Sequence, residues 1–248
     1  MIPLRNELLA ALPAREMEEL APHLKRALLP RASVLHEAGD AIDKVYFPES
    51  GAISLIVELA SGDMIEAAMV GLDGAVGGFA TIQGRPALNK AMVQIEATAQ
   101  VVPATLLRRH VEPGSQLATL LGLHNQFLYA QAQQSAACNA AHSLEARLAR
   151  WLLRAHDLCG KNFALTQEAL AAFLGVRRTS VSLTAHALQD AGIIRYRRGI
   201  IDILDLERLR KISCECHAAL LAQRERLRPE GVLQRVAGRN GQLMASLD

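Results

Sequence analysis

The sequence predicts an α+β chain in three parts: an N-terminal antiparallel β-roll, a long helix, and a C-terminal winged helix-turn-helix. Three observations predict it. Short β-prone runs separated by Ser-Gly, Gly-Asp and Asp-Gly turns fill the stretch from 45 to 103. Apolar and small polar residues then recur at alternating steps of four and three from 117 to 138. A helix–glycine–helix pattern around Gly175 is followed by a basic hairpin over 193–205.

Taken in order, residues 4–29 predict one or two short amphipathic helices. The runs 45–47, 53–59, 64–70, 92–96 and 100–103 predict strands, short and evenly spaced as in a roll or barrel. Residues 1–112 form one domain on this reading. Residues 113–142 form the long helix, about 42 Å over 113–140 at 1.5 Å per residue. Its repeating positions are Leu117, Leu121, His124, Leu128, Gln131, Ser135 and Cys138, a partly polar heptad seam. That seam has two readings: the helix covers its own domain, or it pairs with the same helix of a second copy. Its length favours the pairing, because a small β domain offers little surface to cover so long a helix.

The next helix starts at Ser143, a capping residue, and stops at Gly160. Leu144, Leu148, Trp151 and Leu152 make its apolar face. Thr166 caps the first helix of the pair, Ala169, Leu170, Phe173 and Leu174 give its apolar stripe, and Gly175 makes the turn. The second helix runs over 177–190. Val181, Ala185 and Leu188 share one narrow arc of it, while Thr179, Leu183 and His186 point the opposite way, with Ser182 at the flank. This module spans 143–220. Residues 221–248 mix glycine, charge and sparse apolar residues without a sustained period, and predict a mobile tail.

Half of the 248 residues are hydrophobic but only 4% are aromatic, so the expected cores consist of Leu, Val, Ile and Ala. A net charge of +2 hides a separation. Residues 1–112 carry 10 basic against 14 acidic side chains, net −4, and residues 161–212 carry 9 against 5, net +4. Only the second stretch suits a polyanion. No run approaches about 18 apolar residues, so no membrane span is expected. The N-terminus lacks a basic region followed by an apolar stretch, so no signal peptide is expected and a cytoplasmic location follows. The four cysteines, Cys138, Cys159, Cys214 and Cys216, match no CxxC pair and no zinc spacing. Enzymatic activity is not expected, because neither a glycine-rich phosphate loop nor a nucleophile beside a base is present.

Arg177 and Arg178 lead the second helix of the pair. Cations there oppose the helix macrodipole, by a few tenths of a kcal/mol up to about 1. A phosphate or a base edge offsets that cost. Arg195, Tyr196, Arg197 and Arg198 surround the hairpin tip. With Thr179, Ser180, Ser182, Leu183 and His186 they form the candidate DNA-reading set. The alternative is a ligand- or partner-binding module whose winged helix docks a protein.

The stretch LTQEALAAFLGVRRTSVSLTAHALQDAGIIRYRRGIIDILD (165–205), with SCEC at 213–216, resembles the C-terminal module of a bacterial branch of the Crp/Fnr family of transcription regulators. VYFPESGAIS (45–54) resembles the family's early sensor strands. The resemblance covers roughly residues 5–217. It implies a roll like that of cyclic-nucleotide-binding proteins, a dimerisation helix, and a homodimer on a roughly palindromic promoter site. The implied partners are double-stranded DNA, a second copy and RNA polymerase, with no membrane. Family members often read guanine and cytosine with a Glu and a later Arg. Thr179 and Leu183 stand there instead, so the usual operator is not implied, and Leu183 suits a thymine methyl. Arg178 matches an arginine that contacts base or backbone in some members, and Ser182 a base-contacting serine in others.

The resemblance also bears on cofactors. Members that bind cyclic nucleotides use a Gly-Glu-Leu segment and an Arg-Ser or Arg-Thr pair before an Ala. Gly78 and Phe79, then Asn89 and Lys90, occupy those places here. Without the carboxylate and the arginine, cyclic AMP and cyclic GMP are not expected. Gly77, Gly78, Arg85, Asn89 and Lys90 form the candidate effector pocket, where Arg85 and Lys90 suit some other anion. Iron–sulfur members use an N-terminal cysteine cluster, and residues 1–137 contain no cysteine, so no such cluster is expected. His124 reads as a packed residue rather than a haem ligand. Cys214, Cys216 and His217 carry ligand donors, but two cysteines one residue apart rarely complete a site, so no metal is expected.

Overall fold

The structure, a computed structural model, describes residues 5–112 and 114–228. Helices α1 (Glu7–Ala10) and α2 (Ala14–Leu20) lead into strands β1 (Lys25–Leu29), β2 (Val34–His36), β3 (Lys44–Pro48), β4 (Ala52–Glu58) and β5 (Met64–Val70). Helix α3 (Gly78–Gln83), strands β6 (Lys90–Ile95) and β7 (Ala97–Pro103) and helix α4 (Ala104–His110) complete the first unit. Two antiparallel sheets, in the orders β1-β7-β3 and β2-β6-β4-β5, make the roll. Leu29, Ile53, Val70, Val93 and Ala99 from both sheets share one buried core.

The helix reading of 4–29 needs correction beyond His23. Residues 25–29 are β1, paired with β7 from Lys25↔Val101 to Leu29↔Ala97. Lys, Arg, Ala and Leu lean toward helix in isolation, but a ladder with an existing strand overrides so weak a preference. Strands near all five positions read from the sequence are present.

The long helix is α5 (Gln116–Ala141), 26 residues capped by the Ser115 hydroxyl on the Ala118 N–H. Its heptad seam faces inward, which corrects the expectation that it meets a second copy. Leu117, Leu121, His124, Gln131, Ser135 and Cys138 are all buried within this one chain, and Leu128 packs on the core of the roll. The polar members explain the choice. His124 Nε2 accepts the Ala75 N–H at 3.2 Å, and Gln131 Oε1 accepts the Met69 N–H at 3.1 Å. These backbone donors at the edge of the roll need acceptors, and the seam supplies them. The opposite face carries Thr119, Gly122, Gln126, Tyr129, Gln133, Ala136 and Ala140, again at steps of three and four, and is exposed except at the half-buried Gly122.

Helix α6 (Leu144–Cys159) opens the second unit, with Ser143 as cap and Gly160 as stop. It is followed by β8 (Asn162–Ala164), α7 (Gln167–Leu174), α8 (Arg178–Asp190), β9 (Ile194–Arg197), β10 (Ile200–Ile203), α9 (Leu206–Ile212) and α10 (Cys216–Arg226). The wing has three strands rather than the expected two, in the order β8-β10-β9. One core joins the units: Ala52, Ile56 and Met69 of the roll lie with Leu148, Trp151, Leu152, Phe163 and Leu170. Helix α10 then returns along α5, where Arg224 meets Glu7 at 2.5 Å. The expected tail from 221, read without a sustained period, is instead helical as far as Arg226, behind buried Leu220 and with Arg224 on Glu7. The rest of that expectation, 229–248, lies outside the described residues.

Candidate functional site

Helix α7 is capped by the Thr166 hydroxyl on the Ala169 N–H and ends at Gly175, whose φ of +61° closes the turn. That geometry turns α8 outward. Val181, Ala185 and Leu188 are buried on its inner arc, while Arg177, Arg178, Thr179, Leu183 and His186 are exposed. Leu183 is 73% exposed, a large apolar side chain that no described residue covers. Among the described residues no side chain caps the start of α8, so its first N–H groups and two arginines face outward together. Arg178 pairs with Glu168 at 3.2 Å, but both are well exposed, so the pair is worth at most about 1 kcal/mol and exchanges readily. Ser180 is half-buried. The Ser182 hydroxyl is engaged with Gln167 at 2.6 Å and with the Arg178 carbonyl at 3.0 Å.

The wing turn consists of Arg198 and Gly199, with φ of +52° and +76°, between Arg197 and Ile200, which face each other across the hairpin. Two successive positive φ values make the tight two-residue turn that suits strand twist, and glycine adopts one of them freely. Arg195, Arg197 and Arg198 are exposed on it. Tyr196 is turned inward: its hydroxyl donates to the Leu165 carbonyl at 3.1 Å, and its N–H is held by Gln189 at 2.9 Å. The structure gives Tyr196 the work of fixing the wing on the helix pair, which corrects its place at an outward surface.

The seat of this module on the roll is charged and buried. Arg154 of α6 pairs with Asp73 at 2.7 Å, donates to the Met69 carbonyl at 2.9 Å, and lies 5.8 Å from the Phe127 ring centre. Burial pushes the Asp73 carboxyl up, but the Arg154 and Arg224 guanidiniums outweigh it and hold it below the usual carboxylate range. Glu66 of β5 accepts from the Trp151 indole N–H at 2.9 Å and from the Ser54 hydroxyl. Here burial wins over those donors and over Arg150, and the Glu66 carboxyl is pushed up to about 7.

A cavity of about 360 Å³ lies between the roll, α3, the loop after it and α5. Gly77, Gly78, Arg85 and Asn89 line it, joined by His36, His124, Asn125 and Leu128, which the pocket reading lacked. Lys90 does not line it, a correction to that reading: its ammonium lies 3.1 Å from Glu37 and 3.5 Å from Glu58. A Cβ on Gly78 would sit 2.6 Å from the Leu121 side chain, so α5 fills the space that a glutamate needs. Burial lowers both cavity histidines, His124 to about 4, and keeps them neutral at pH 7. Among the described residues the lining holds Arg85 and no carboxylate.

Three of the four cysteines lie together at the junction of the units. Cys138 lies in the last turn of α5 and His142 just past its end, while Cys214 precedes Glu215 and Cys216 opens α10. The four donor atoms all lie within 4.8 Å of one another. His217 is elsewhere, on Asp157 at 2.7 Å, which corrects the grouping with Cys214 and Cys216. A four-residue spacing on one helix was the available signal for Cys138 and His142. Their meeting with residues more than 70 positions away was not readable.

Comparison with known proteins gives the following. Residues 146–212 match the Crp-like helix-turn-helix domain family. No curated protein sequence matches the chain. Among solved structures, FixK2 from Bradyrhizobium japonicum is similar at a TM-score of 0.66 and 16% identity, over 77% of this chain and 98% of that one. A putative Crp/Fnr-family transcriptional regulator from Eubacterium rectale gives 0.63 and 16%, over 83% and 96%. The c-di-GMP-responsive global regulator CLP of Xanthomonas campestris gives 0.60 and 17%, over 77% and 99%. No described helix is long and apolar enough to cross a membrane.

Proposed function

We propose that this chain, whose residues 146–212 form a Crp-like helix-turn-helix domain on a Crp/Fnr-regulator fold, is a dimeric transcription regulator that reads promoter DNA with α8. The observation that carries the reading is the outward face of α8. It presents an uncapped helix start, Arg177, Arg178, Thr179, Leu183 and His186, and the wing adds three more arginines beside it. Phosphates satisfy the free N–H groups and the arginines, and base edges meet Thr179 and Leu183. Two such helices in successive major grooves stand about 34 Å apart on a roughly palindromic site.

The second copy docks on the outer face of α5. Gly122 has open space above its Cα, and Ala136 and Ala140 keep the face low enough for close helix contact. Gln133→Glu with Ala136→Glu should give monomer in light scattering with an unchanged circular dichroism spectrum. A persisting dimer would place the interface elsewhere. The chain acts in the cytoplasm, where promoter DNA and RNA polymerase are met.

The cavity is the effector site on this reading. Its ligand is neutral or carries one negative charge for Arg85, and is not a cyclic nucleotide, because no carboxylate among the described lining residues can hold a ribose. Micromolar calorimetric binding of cyclic AMP or cyclic GMP would overturn that part. The regulator reading itself is tested by selecting bound sequences from random DNA. An enriched palindrome supports it, and no enrichment favours a winged helix that docks protein.

A further inference from the structure

We propose that Cys138, His142, Cys214 and Cys216 form a Cys₃His site for a single soft divalent cation of the zinc type, clamping both ends of the helix-turn-helix module. The donor set is one that structural zinc sites use. The spacing fits as well. Cys138 Sγ and Cys214 Sγ are 3.6 Å apart, and Cys216 Sγ lies 3.5 Å from His142 Nδ1. A tetrahedral ion with metal–sulfur bonds of about 2.3 Å sets its ligands about 3.8 Å apart. Four donors within 4.8 Å of one another need only small side-chain movements to reach that figure. An iron–sulfur cluster, by contrast, needs its thiolates spread around several iron atoms.

Groups around the donors are arranged as an outer shell. The far nitrogen of His142, Nε2, lies 3.2 Å from a Glu215 carboxylate oxygen. A proton on Nε2 donated to that carboxylate leaves the Nδ1 lone pair facing the three sulfurs, the tautomer a metal needs. The Gln134 amide donates to Cys216 Sγ at 3.0 Å. One divalent ion with three thiolates and a neutral imidazole carries a net charge of −1, and Arg147 and Arg150 of α6 bring positive charge to the same thiols. Binding forms three metal–sulfur bonds and one metal–nitrogen bond, releases three thiol protons to solvent, and oxidises nothing.

The position of the site gives it a role. Cys138 lies in the last turn of α5 and His142 directly follows its end, immediately before the chain enters α6. Cys214 and Cys216 stand where the chain leaves α9 for α10, which returns to the roll. The ion therefore ties the point of entry into the DNA-reading module to the point of exit, and fixes how that module is held on the long helix.

The test uses the full chain, purified under reducing conditions, incubated with Zn²⁺ and freed of loose metal. Mass spectrometry of the metal should give about one zinc per chain. Co²⁺ titration of the wild type should give the visible absorption of a tetrahedral thiolate site. Cys138→Ser and Cys214→Ser should lose the zinc, whereas Cys159→Ser, at the far end of α6, should keep it. Glu215→Gln should keep the ligands but weaken zinc by roughly 10–100-fold in competition with a chelating dye. A chelator should lower the melting temperature of the wild type and leave that of Cys214→Ser unmoved. A wild type that binds less than about a tenth of an equivalent after full reduction, with no cobalt spectrum, overturns the proposal. So does a Cys138–Cys214 disulfide that, once reduced, still leaves the chain unable to load metal.

Discussion

On the inner side of the helix-turn-helix module, Arg154 lies against Asp73 at 2.7 Å and gives an N–H to the Met69 carbonyl. On the outer side, Arg177, Arg195, Arg197 and Arg198 stand exposed, without an ion pair among the described residues, and Arg178 has only its exposed contact with Glu168. The same residue type serves opposite ends. The buried guanidinium is committed to its own chain through Asp73 and the Met69 carbonyl, with only its Nε unpartnered among the described residues, and it holds the units together, out of reach of a partner. An exposed guanidinium contributes little to folding and keeps its charge for a polyanion. The net +4 over 161–212 belongs to the second kind, since Arg154 falls outside that stretch.

The contrast breaks first on the inner side. Arg154→Ala should cost about 3–5 kcal/mol in denaturant unfolding, because Asp73 is left buried without its nearest cation. A loss below about 1 kcal/mol would mean that Arg224, 3.7 Å from Asp73, already suffices. Glu66 sharpens the same side. Its carboxyl titrates at about 7 in the folded chain against an ordinary 4.5, so the folded chain holds the proton more tightly than the unfolded one. The resulting stabilisation is fully present below 4.5 and is lost as pH rises through about 7. Glu66→Gln should therefore flatten the fall in melting temperature between pH 5 and 8, and an unchanged pH profile would show that Glu66 is not the group responsible.

The outer side carries the smaller effects. Arg178→Ala should lower stability by no more than about 1 kcal/mol and reduce the preference for the selected site over scrambled duplex by about 1–3 kcal/mol. Equal losses on both duplexes would make Arg178 a phosphate anchor and move base reading to Thr179 and Leu183. Arg197→Ala, at the wing, should weaken both duplexes alike and lower the salt slope by about one unit.

The sequence made some of this arrangement legible and hid the rest. Caps at Ser143 and Thr166, stops at Gly160 and Gly175, and the arcs of α8 were readable because each depends on a few neighbouring residues. The direction of the α5 seam was not. Leu117, Leu121 and Leu128 fit either a roll or a second helix, and the deciding acceptors, His124 and Gln131, answer donors near Ala75 and Met69 that lie far away in sequence. The strand at 25–29 was hidden for the same reason, since its residues prefer helix until β7 is present. Gly78 was seen only as a missing glutamate. The physical cause, Leu121 occupying that space, belongs to packing. The Cys₃His group joins positions 138, 142, 214 and 216, and only the return of α10 along α5 brings them together.

The central claim is that the outer arginines are free for DNA, and the salt dependence of binding tests it most directly. Wild-type protein is titrated with random duplex DNA between 50 and 200 mM salt. If the arginines of both protomers neutralise phosphates, log K falls linearly with log salt, and affinity drops by about 10³–10⁵ across that range, as for six to ten phosphate contacts. Binding that stays level with salt, or no binding at 50 mM, would contradict the account and leave the winged helix as a surface for protein.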